Sequence, residues 1–391
     1  MTGAGEPSGD RPTDPGRAGA RLRLARLARG LSQADLADMA GITRQAVTGI
    51  EAGRWDPSLR VALAISRGLS LDVEDLFGSP PDLPPVEATT LAPLSGESVP
   101  VALGTVAEAT VALPLAGDRA LRPGFGNASG TALAVAGGDR ALVQRTGTSW
   151  RTLVVAGCDP ALPLLEAPLA RLSPPLALAW WPCSTRQALE LAASGLVHVA
   201  GAHLPDSDPG LSILVGRHLG GLGAEVIGFA AWREGLAWDR SLGPSLDLTG
   251  AFERGLRLVN REAGSEARSL LEAEAARCGL PLAAMPGAGT ATTAHLLVTS
   301  AVASGLGAVG MSTEPCAITH GLGFTPLASE CSHLVVPAPL VATPEIQGLL
   351  RVLAGADLRS QLSRLRGYDA RPCGEAIATI TRGTDPGPGT V

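Results

Sequence analysis

The apolar residues between positions 18 and 78 recur at the three- and four-residue spacing of amphipathic helices. This spacing predicts a first helix over residues 18–28, with Leu22, Leu24 and Leu27 facing inward. Two short helices then meet at Gly41, whose backbone freedom suits a tight turn. Further helices over residues 59–67 and 73–77 would complete a small all-α bundle.

Beyond this bundle the apolar runs become shorter and β-like, and turn residues separate them. They predict a small β-rich connector over residues 98–150. From Arg151 onward, apolar strands alternate with helices, which indicates parallel sheets in an α/β body. The strands predicted for this body cover residues 152–156, 176–180, 197–200, 256–259, 308–311, 324–327 and 334–336.

Shifts in composition divide the 391 residues into a multidomain chain. Residues 1–16 are rich in Gly, Pro and Asp and are predicted to be disordered. The bundle occupies residues 17–78, and a Pro-rich stretch predicts a stiff linker over residues 79–97. The remaining predicted divisions are the connector (98–150), a ligand-binding α/β body (151–375) and a flexible tail (376–391).

The two helices around Gly41 have the layout of a helix-turn-helix that reads DNA. Ser32 is predicted to cap the first helix, with Asp35 completing a shortened capping box, and Thr43 to cap the second. On the second helix, Arg and Gln side chains suit the guanine and adenine edges of the major groove. The candidate DNA-contacting residues are Gln33, Thr43, Arg44, Gln45, Thr48 and Arg54.

Residues 18–78 resemble the Cro/repressor-type, or XRE, family of regulators. The resemblance is carried by Gln33, Gly41, Ile42, Arg44, Gln45, Ile50, Glu51, Gly53, Pro57, Ser58 and Leu59. It implies binding to a double-stranded DNA operator, and a homodimer, since one such head reads only a half-site. Gly49 departs from the family pattern, in which a longer or more helix-favouring residue is common at this position. Glycine within a helix costs about 1 kcal/mol of helix stability. The alternative is a helical bundle that binds no DNA.

Charge is distributed unevenly along the chain. Residues 17–60 carry eight Arg against Asp35, Asp38, Glu51 and Asp56, whereas the whole chain has a net charge of −6. Phosphate attraction is therefore expected at the N-terminal end only. No uninterrupted apolar run reaches the roughly 18 residues of a membrane span, and residues 1–16 lack an apolar signal core. We therefore expect a cytoplasmic protein without a membrane partner.

Six cysteines are scattered along the chain without CxxC spacing, so they are predicted to be free thiols. The histidines are interpreted mainly as buried or capping residues, and no metal ligand is assigned. A metal-sensing regulator remains an alternative, because Cys158, Cys183 and His203 could converge at one cleft.

In parallel sheets, ligands bind beyond the carboxyl ends of the strands, near helix N-termini. These places are residues 157–159, 184–185 and 201–203. The body from about residue 150 to 375 also resembles the periplasmic-binding-protein-like domain of bacterial regulators related to molybdate-binding proteins. The matching stretches and residues are 156–162, 260–261, Gly264, Ser265, Arg268, His295, 301–305, Gly310, Phe324, 326–327, Glu330 and 367–369.

This second resemblance implies a type II fold in which two α/β lobes close on a small solute or oxyanion, such as molybdate or tungstate. The candidate ligand-binding residues are Asp159, Ser184, Thr185, His203, Asn260, Arg261, Ser265, Arg268 and Thr292. Simpler roles remain open, with Ser184 and Ser265 as helix caps and the arginines as partners of nearby glutamates. Glu266 and Asp159 would also bring negative charge close to a bound anion.

Together these features predict a ligand-responsive transcriptional regulator without catalytic residues or a cofactor. The chain has no GxSxG, HExxH or P-loop motif. Besides the metal-sensing regulator, two alternatives remain: a solute-binding protein related to molybdenum-cofactor metabolism, or an enzyme of that metabolism.

Overall fold

The computed structural model describes residues 15–78, 83–94, 98–116, 128–135, 139–146, 151–205 and 210–383. The chain forms two compact units, a head that ends at Leu83 and a body that begins at Pro84. Residues 1–14 of the predicted disordered N-terminus lie outside the described residues. No helix in the described ranges is long and apolar enough to cross a membrane.

The head is the predicted all-α bundle. Its helices are α1 (Pro15–Ala28), α2 (Gln33–Ala40), α3 (Arg44–Glu51), α4 (Leu59–Leu69) and α5 (Val73–Phe77). They bury Leu22, Leu36, Val47, Ile50, Ile65, Leu69 and Leu76 in one core. The inward orientation predicted for Leu24 and Leu27 is wrong, since they are 67% and 53% exposed. A helical turn of 3.6 residues that directs Leu22 inward carries Leu24 and Leu27 away from the core.

Both predicted helix caps are present. The Ser32 hydroxyl accepts from the backbone N–H of Asp35 at 3.2 Å, and the Asp35 carboxylate accepts from the backbone N–H of Ser32 at 2.8 Å. Thr43 accepts from the backbone N–H of Ala46 at 3.2 Å. Between α2 and α3, Gly41 has a φ of +64°, a left-handed conformation that favours glycine.

A buried polar network ties the two helices of the helix-turn-helix to α1. Arg26 on α1 donates to the carboxylate of Glu51 on α3 at 2.7 and 3.1 Å. Gln33 on α2 donates to the same carboxylate at 2.8 Å and accepts from the Thr48 hydroxyl at 3.1 Å. The orientation of α3 is therefore fixed by hydrogen bonds as well as by apolar packing.

The β-rich connector is a closed five-stranded barrel. Its strands are β1 (Val86–Thr90), β2 (Val99–Val106), β3 (Ala109–Pro114), β4 (Gly130–Val135) and β5 (Arg140–Arg145), arranged in the order β1-β3-β2-β4-β5. The predicted linker over residues 79–97 is therefore wrong at residues 86–90, because β1 pairs with both β3 and β5. These five residues alternate in burial along the strand, as a strand with one inner face requires.

The rest of the body is a two-lobed α/β structure. Its strands are β6 (Thr152–Ala156), β7 (Ala177–Trp181), β8 (Val199–Pro205), β9 (Ala224–Trp238), β10 (Leu258–Arg261), β11 (Ala291–Thr292), β12 (Val309–Thr313), β13 (Gly323–Pro337) and β14 (Ala376–Ile380). Its helices are α6 (Glu166–Ala170), α7 (Thr185–Ala193), α8 (Gly210–Leu219), α9 (Leu248–Glu253), α10 (Glu266–Arg277), α11 (His295–Ala303), α12 (Glu314–Thr319), α13 (Pro344–Ala354) and α14 (Ala356–Arg364). The main strand order is β11-β10-β12-β9-β13-β8-β6-β7.

The long antiparallel strands β9 and β13 join the lobes. Lobe 1 contains β6, β7 and β8, which connect to the sheet through β13, and lobe 2 contains β10, β11 and β12, which connect through β9. Each lobe has its own apolar core. The two predicted strands over residues 324–327 and 334–336 form one continuous strand, β13.

The predicted flexible tail is wrong at its start. Residues 376–380 form β14, which pairs antiparallel with the first half of β9. This pairing satisfies backbone groups along an edge that β9 would otherwise leave open. Residues 384–391 lie outside the described part of the chain.

The barrel and lobe 1 share one apolar core. Ala102, Val106, Val111 and Leu113 of the barrel belong to the same buried cluster as β6. His198 links them further, because its Nδ1 accepts from the backbone N–H of Val154 at 3.0 Å and its ring is hydrogen-bonded to the backbone of Thr105. Burial lowers the pKa of His198 to about 4, so the folded protein holds this ring neutral.

We predict that His198 makes the body sensitive to acid. Between pH 6.5 and 4 the unfolded chain protonates this histidine and the folded chain does not, so stability falls as the pH falls, by roughly 3 kcal/mol in total. His198→Asn, which keeps an acceptor and a donor, should show a smaller drop in apparent Tm over this range. An equal drop in the variant would contradict the prediction, and His320→Asn, at a part-buried helix end, serves as the control.

We also predict that the network around Glu51 stabilises the helix-turn-helix. Glu51→Ala leaves Arg26 and Gln33 without their shared acceptor, at a cost of about 2–3 kcal/mol. Amide hydrogen exchange of residues 33–51 in the full chain should then be roughly 30- to 150-fold faster. The exposed Glu74→Ala on α5 is the matched control, and equal exchange in the two variants would refute the role of the network.

Candidate functional site

The predicted DNA-contacting residues divide into two groups on the head. Thr43, Arg44, Gln45 and Arg54 are exposed, as contact with a DNA groove requires. Gln33 and Thr48 are half-buried, and hydrogen bonds join them to each other. Gln33 and Thr48 therefore help to position α3 through their hydrogen bonds and the link from Gln33 to Glu51. Their predicted contacts with DNA stay predictions.

The unusual Gly49 on α3 has a local explanation. A Cβ at this position would lie 2.6 Å from the indole ring of Trp55, closer than the packing allows. Glycine thus lets the ring of Trp55 lie directly against the recognition helix. The close approach of Trp55 therefore explains why glycine is present where the sequence alone predicts a cost in helix stability.

The second candidate site lies between the two lobes of the body. Lobe 1 provides Cys158, just after β6, and His203 on β8, and lobe 2 provides Arg261 at the end of β10 and His295 at the start of α11. The connecting strands β9 and β13 contribute Glu234 and Glu330. All six side chains are at least nine-tenths buried.

A chain of three polar side chains forms one side of this site. The Nε2 atom of His203 lies 2.9 Å from Cys158 Sγ, and its Nδ1 atom lies 2.5 Å from a carboxylate oxygen of Glu330. The backbone N–H of His203 donates to the Thr185 hydroxyl at 3.3 Å, which holds this part of β8 against α7. The imidazole is therefore oriented at both ring nitrogens.

Glu234 and His295 form the opposite side. His295 Nδ1 lies 3.8 Å from Glu234 Oε1, and His203 Nδ1 lies 4.0 Å from Glu234 Oε2. The Arg261 guanidinium contacts the His295 ring at 3.1 Å and pairs with Glu262 at 2.8 and 3.0 Å. The positive charge of Arg261 is thus largely matched by Glu262 and not by the carboxylates of the site.

Burial and neighbouring charges shift the pKa values of these groups in different directions. Burial, together with the Glu330 carboxylate, raises the pKa of Glu234 well above its usual range. Burial also acts to raise the pKa of Glu330, but the adjacent His203 holds it below the ordinary value. Burial disfavours the protonated form of His203 and so acts to lower its pKa. Cys158 and Glu330 outweigh burial and raise the pKa of this imidazole well above its usual value.

Several buried polar atoms at this site lack a hydrogen-bond partner among the described residues. By strict hydrogen-bond geometry they are Asp159 Oδ2, Trp232 Nε1, both carboxyl oxygens of Glu234, and Thr313 Oγ1, although Ser332 and Glu330 lie close enough to Asp159 and Glu234 to influence their pKa values. Thr313 pairs with Glu234 across β12 and β9, and Trp232 lies two residues before Glu234 on the same strand. Buried polar atoms without partners are rare in folded proteins, and a group of them indicates a place for a bound ligand.

The other predicted ligand residues serve mainly structural roles. Ser184 and Ser265 cap α7 and α10 by accepting from backbone N–H groups. Asn260 donates to the carbonyl of Ala288, and Arg268 pairs with Glu272 at 2.8 Å. Thr292 pairs with Arg261 at the edge of the sheet and lines a surface cavity of about 480 Å³.

Asp159 has both a structural and a potential binding role. Its Oδ1 atom accepts from the backbone N–H of Ala161 and from the Tyr368 hydroxyl, each at 2.9 Å. Burial raises the pKa of Asp159, although these hydrogen bonds act against the increase. Its Oδ2 atom is buried at the site, and Ser332 on β13 also acts to lower the pKa of this carboxyl through a side-chain hydrogen bond.

The sequence analysis missed Glu234 and Trp232 and assigned no ligand role to Glu330 or His295. Arg233 and Glu234 interrupt an otherwise apolar half of β9, and this interruption was the available signal. Cys158 and His203 do converge as the metal-sensing alternative required. Cys183, in contrast, is absent from the groups of converging metal-ligand atoms among the described residues.

Comparison with known proteins is consistent with this architecture. The model of the helix-turn-helix family matches residues 22–76, and the PBP superfamily domain matches residues 166–354. The uncharacterized protein YvgK of Bacillus subtilis is 31% identical over 123 residues, which are 31% of this chain and 39% of YvgK. The chain thus spans well under half of that relative.

A relative of the head is matched over most of its length. The uncharacterized HTH-type transcriptional regulator MJ0272 of Methanocaldococcus jannaschii is 39% identical over 57 residues, which are 15% of this chain and 86% of MJ0272. A putative phosphate ABC transporter substrate-binding protein from Clostridium perfringens, solved with phosphate, is 12% identical with a TM-score of 0.44. That alignment covers 56% of this chain and 99% of the transporter protein.

The capped helix-turn-helix, the exposed face of α3 and the extensive match to MJ0272 identify the head, and the two-lobed sheet and its family match identify the body. The chain therefore belongs to the XRE-type helix-turn-helix transcriptional regulators and carries a C-terminal PBP-like domain.

Proposed function

We propose that this regulator binds an operator through its head and responds to a small effector that binds between the lobes of its body. The observation that carries the proposal is the cluster of buried polar side chains between the lobes, where the atoms of Trp232 and Thr313 lack hydrogen-bond partners among the described residues and the carboxyl groups of Asp159 and Glu234 lie beside them. Both lobes and both connecting strands contribute side chains there. An effector that contacts both lobes has a different affinity for their open and closed arrangements, which is the requirement for a switch.

An oxyanion such as molybdate or tungstate is one class of effector to test. The buried Arg261 guanidinium supports it, because arginine binds oxyanions in a bidentate manner. The Glu330 carboxylate weighs against it, since a bound anion would meet a like charge in a low-dielectric cleft where burial already raises the pKa values of Asp159 and Glu234. Ser184 and Ser265, the hydroxyls that the resemblance favours, already accept hydrogen bonds as helix caps.

We further propose that the protein acts as a cytoplasmic homodimer on double-stranded DNA and has no catalytic activity. Dimerisation is supported by the half-site argument and by exposed apolar side chains on the head, with Leu24 at 67%, Leu27 at 53% and Leu59 at 72% exposure. Light scattering with and without operator DNA tests it. Effector binding without a selected operator would instead favour a solute-binding protein, and turnover of a molybdenum-cofactor precursor would favour an enzyme.

We predict that Arg44 contributes to reading the operator. After selection of a DNA site from a random pool with the full chain, Arg44→Ala should weaken binding to that site by about 1–3 kcal/mol, or roughly 5- to 150-fold. Arg277→Ala on the surface of the body is the matched control and should leave affinity unchanged. Equal binding by wild-type and Arg44→Ala proteins would remove Arg44 from the interface, and failure to select any site would overturn the proposed DNA function.

We also predict that Trp232 reports effector binding. Its ring lies 5.7 Å from that of His203 and 5.9 Å from that of Tyr368, so a ligand between the lobes alters its surroundings. An effector at 100 times its Kd should stabilise the body by about 2.7 kcal/mol and change tryptophan fluorescence. Trp232→Phe should abolish most of the fluorescence change, and Trp55→Phe should retain it.

The panel for this measurement contains molybdate, tungstate, sulfate, phosphate, divalent metal ions and small organic acids. If a compound raises Tm and its fluorescence change persists in Trp232→Phe, the effector binds elsewhere. If an effector binds but leaves operator affinity unchanged, the proposed coupling between body and head is wrong.

A further inference from the structure

We propose that the cleft between the lobes binds one transition-metal dication of the zinc class, with Cys158, His203, His295 and Glu234 as its ligands. This inference rests on the proposed function, because it names the chemical class of the effector. It differs from the oxyanion that the sequence resemblance favours. The sequence analysis assigned no metal ligands, whereas this inference names four. The argument depends on donor geometry, ligand orientation, charge and the distribution of the donors over the two lobes.

Three of the four proposed donors already converge. Ligand atoms of Cys158, His203 and His295 all lie within 4.8 Å of one another, and so do those of His203, Glu234 and Glu330. Zinc binds sulfur at about 2.3 Å and nitrogen or oxygen at about 2.0–2.2 Å, so its tetrahedral ligands lie roughly 3.3–3.8 Å apart. Cys158, His203 and His295 therefore converge as three of the four ligands, and the Glu234 carboxyl, 3.8 Å from His295 Nδ1, completes the set.

The surroundings orient His203 as a metal ligand. Its Nε2 atom faces Cys158, and its Nδ1 atom is bonded to Glu330 at 2.5 Å. A carboxylate on the far nitrogen of a histidine fixes its tautomer and increases its basicity toward a metal, as is usual for metal-binding histidines. Glu330 is therefore assigned as a positioning residue and Glu234, whose oxygens lie 3.8 Å from His295 Nδ1 and 4.0 Å from His203 Nδ1, as the fourth ligand.

The position of His295 is also fixed. The Ser312 hydroxyl donates to the carbonyl of His295 at 3.0 Å, and the Thr299 hydroxyl donates to it at 3.2 Å. These bonds hold the first turn of α11, so the imidazole approaches His203 with the ring centroids 5.9 Å apart. Arg261 contacts the same imidazole, but Glu262 matches its charge and reduces its repulsion of a cation.

The charge of the cleft favours a cation. Glu234, Glu330 and Asp159 are buried carboxyl groups, and metal binding converts Cys158 to the thiolate. Binding of a dication releases the thiol proton of Cys158 to solvent, so it exchanges a proton for metal charge. An anion would instead add to the negative charge. A thiolate with two imidazoles selects zinc, cobalt, nickel or copper over calcium and magnesium.

The donors also explain how a metal could act as an effector. Cys158 and His203 belong to lobe 1, His295 belongs to lobe 2, and Glu234 lies on a connecting strand. Only a closed arrangement of the lobes brings all four donors to one ion. Metal binding therefore stabilises the closed arrangement. The stabilisation equals the difference in binding free energy between an ion held by all four ligands and one held by fewer.

The test is a titration of the full-length, reduced and chelator-treated protein with Co²⁺ as a spectroscopic probe. We expect one ion per chain, visible absorption with the intensity of a tetrahedral site, and a near-ultraviolet thiolate-to-cobalt band. Zn²⁺ should displace the cobalt and remove both signals. Calorimetry with Zn²⁺ gives the stoichiometry independently.

Variants separate ligands from positioning residues. Cys158→Ser should abolish the thiolate band, and His295→Gln or Glu234→Gln should change the visible spectrum. Glu330→Gln should keep the spectrum but weaken affinity by roughly 10- to 100-fold. Cys278→Ser and His218→Gln lie outside the cleft and serve as matched controls for removal of a thiol and an imidazole. Circular dichroism of each variant confirms that it folds.

Alkylation of Cys158 provides a second readout. Zn²⁺ should slow its reaction with iodoacetamide in the wild-type protein, as followed by peptide mass spectrometry. An octahedral cobalt spectrum, a thiolate band that survives Cys158→Ser, or alkylation unaffected by Zn²⁺ would each overturn the metal site. If these fail while an oxyanion or organic acid changes Trp232 fluorescence and operator affinity, the metal inference falls and the proposed function stands.

Discussion

The structure of the body depends on the antiparallel pairing of β9 and β13. Each strand has 15 residues, and the pairing extends from Gly323 opposite Trp238 to Pro337 opposite Ala224. Lobe 1 is attached along β13 and lobe 2 along β9, so this ladder is the backbone connection on which both lobes rely. The hydrogen bonds of this ladder satisfy the backbone groups of both strands where they pass between the lobes. The polar side chains at its centre are therefore not needed to pair with that backbone.

The polar centre has a cost that the fold tolerates. Carboxyl groups at Glu234 and Glu330 are removed from water, and an isolated buried charge is strongly destabilising. The protein offsets this cost at Glu330 through His203, and burial raises the pKa of Glu234, which favours its neutral form. Buried ionisable groups with strongly shifted pKa values are typical of binding and catalytic sites, which lower the stability of the fold to place such groups.

Local signals made the head predictable. Its caps, its glycine turn and its helical spacing all lie within short stretches of sequence, and the structure confirms them at Ser32, Gly41 and Thr43. The first helix was less predictable, because α1 is rich in leucine on more than one face and the pattern does not reveal that Leu22 faces the core. The contact of Trp55 with Gly49 also depends on how the chain turns after α3.

The body was predictable as a class of fold but not as a site. Strands that alternate with helices indicated the parallel parts of the sheet, whereas β9 was missed and β13 was divided, because both cross between lobes and carry polar residues in the middle. Cys158, His203, Glu234 and Glu330 come from four separate strands or strand ends, and no spacing in the sequence encodes their convergence. The DNA-contacting and ligand-contacting roles of the predicted residues stay predictions.

The core that the barrel shares with lobe 1 has a mechanical consequence. Val154 of β6 packs where a side chain at Gly104 of β2 would collide with it, and His198 bonds to both parts. The barrel and lobe 1 are therefore built as one packed block, whereas lobe 2 has a separate core and is joined to that block through β9 and β13. Any change in the angle between the lobes would leave the barrel in its place beside lobe 1, so the barrel is a fixed reference against which the position of lobe 2 is set.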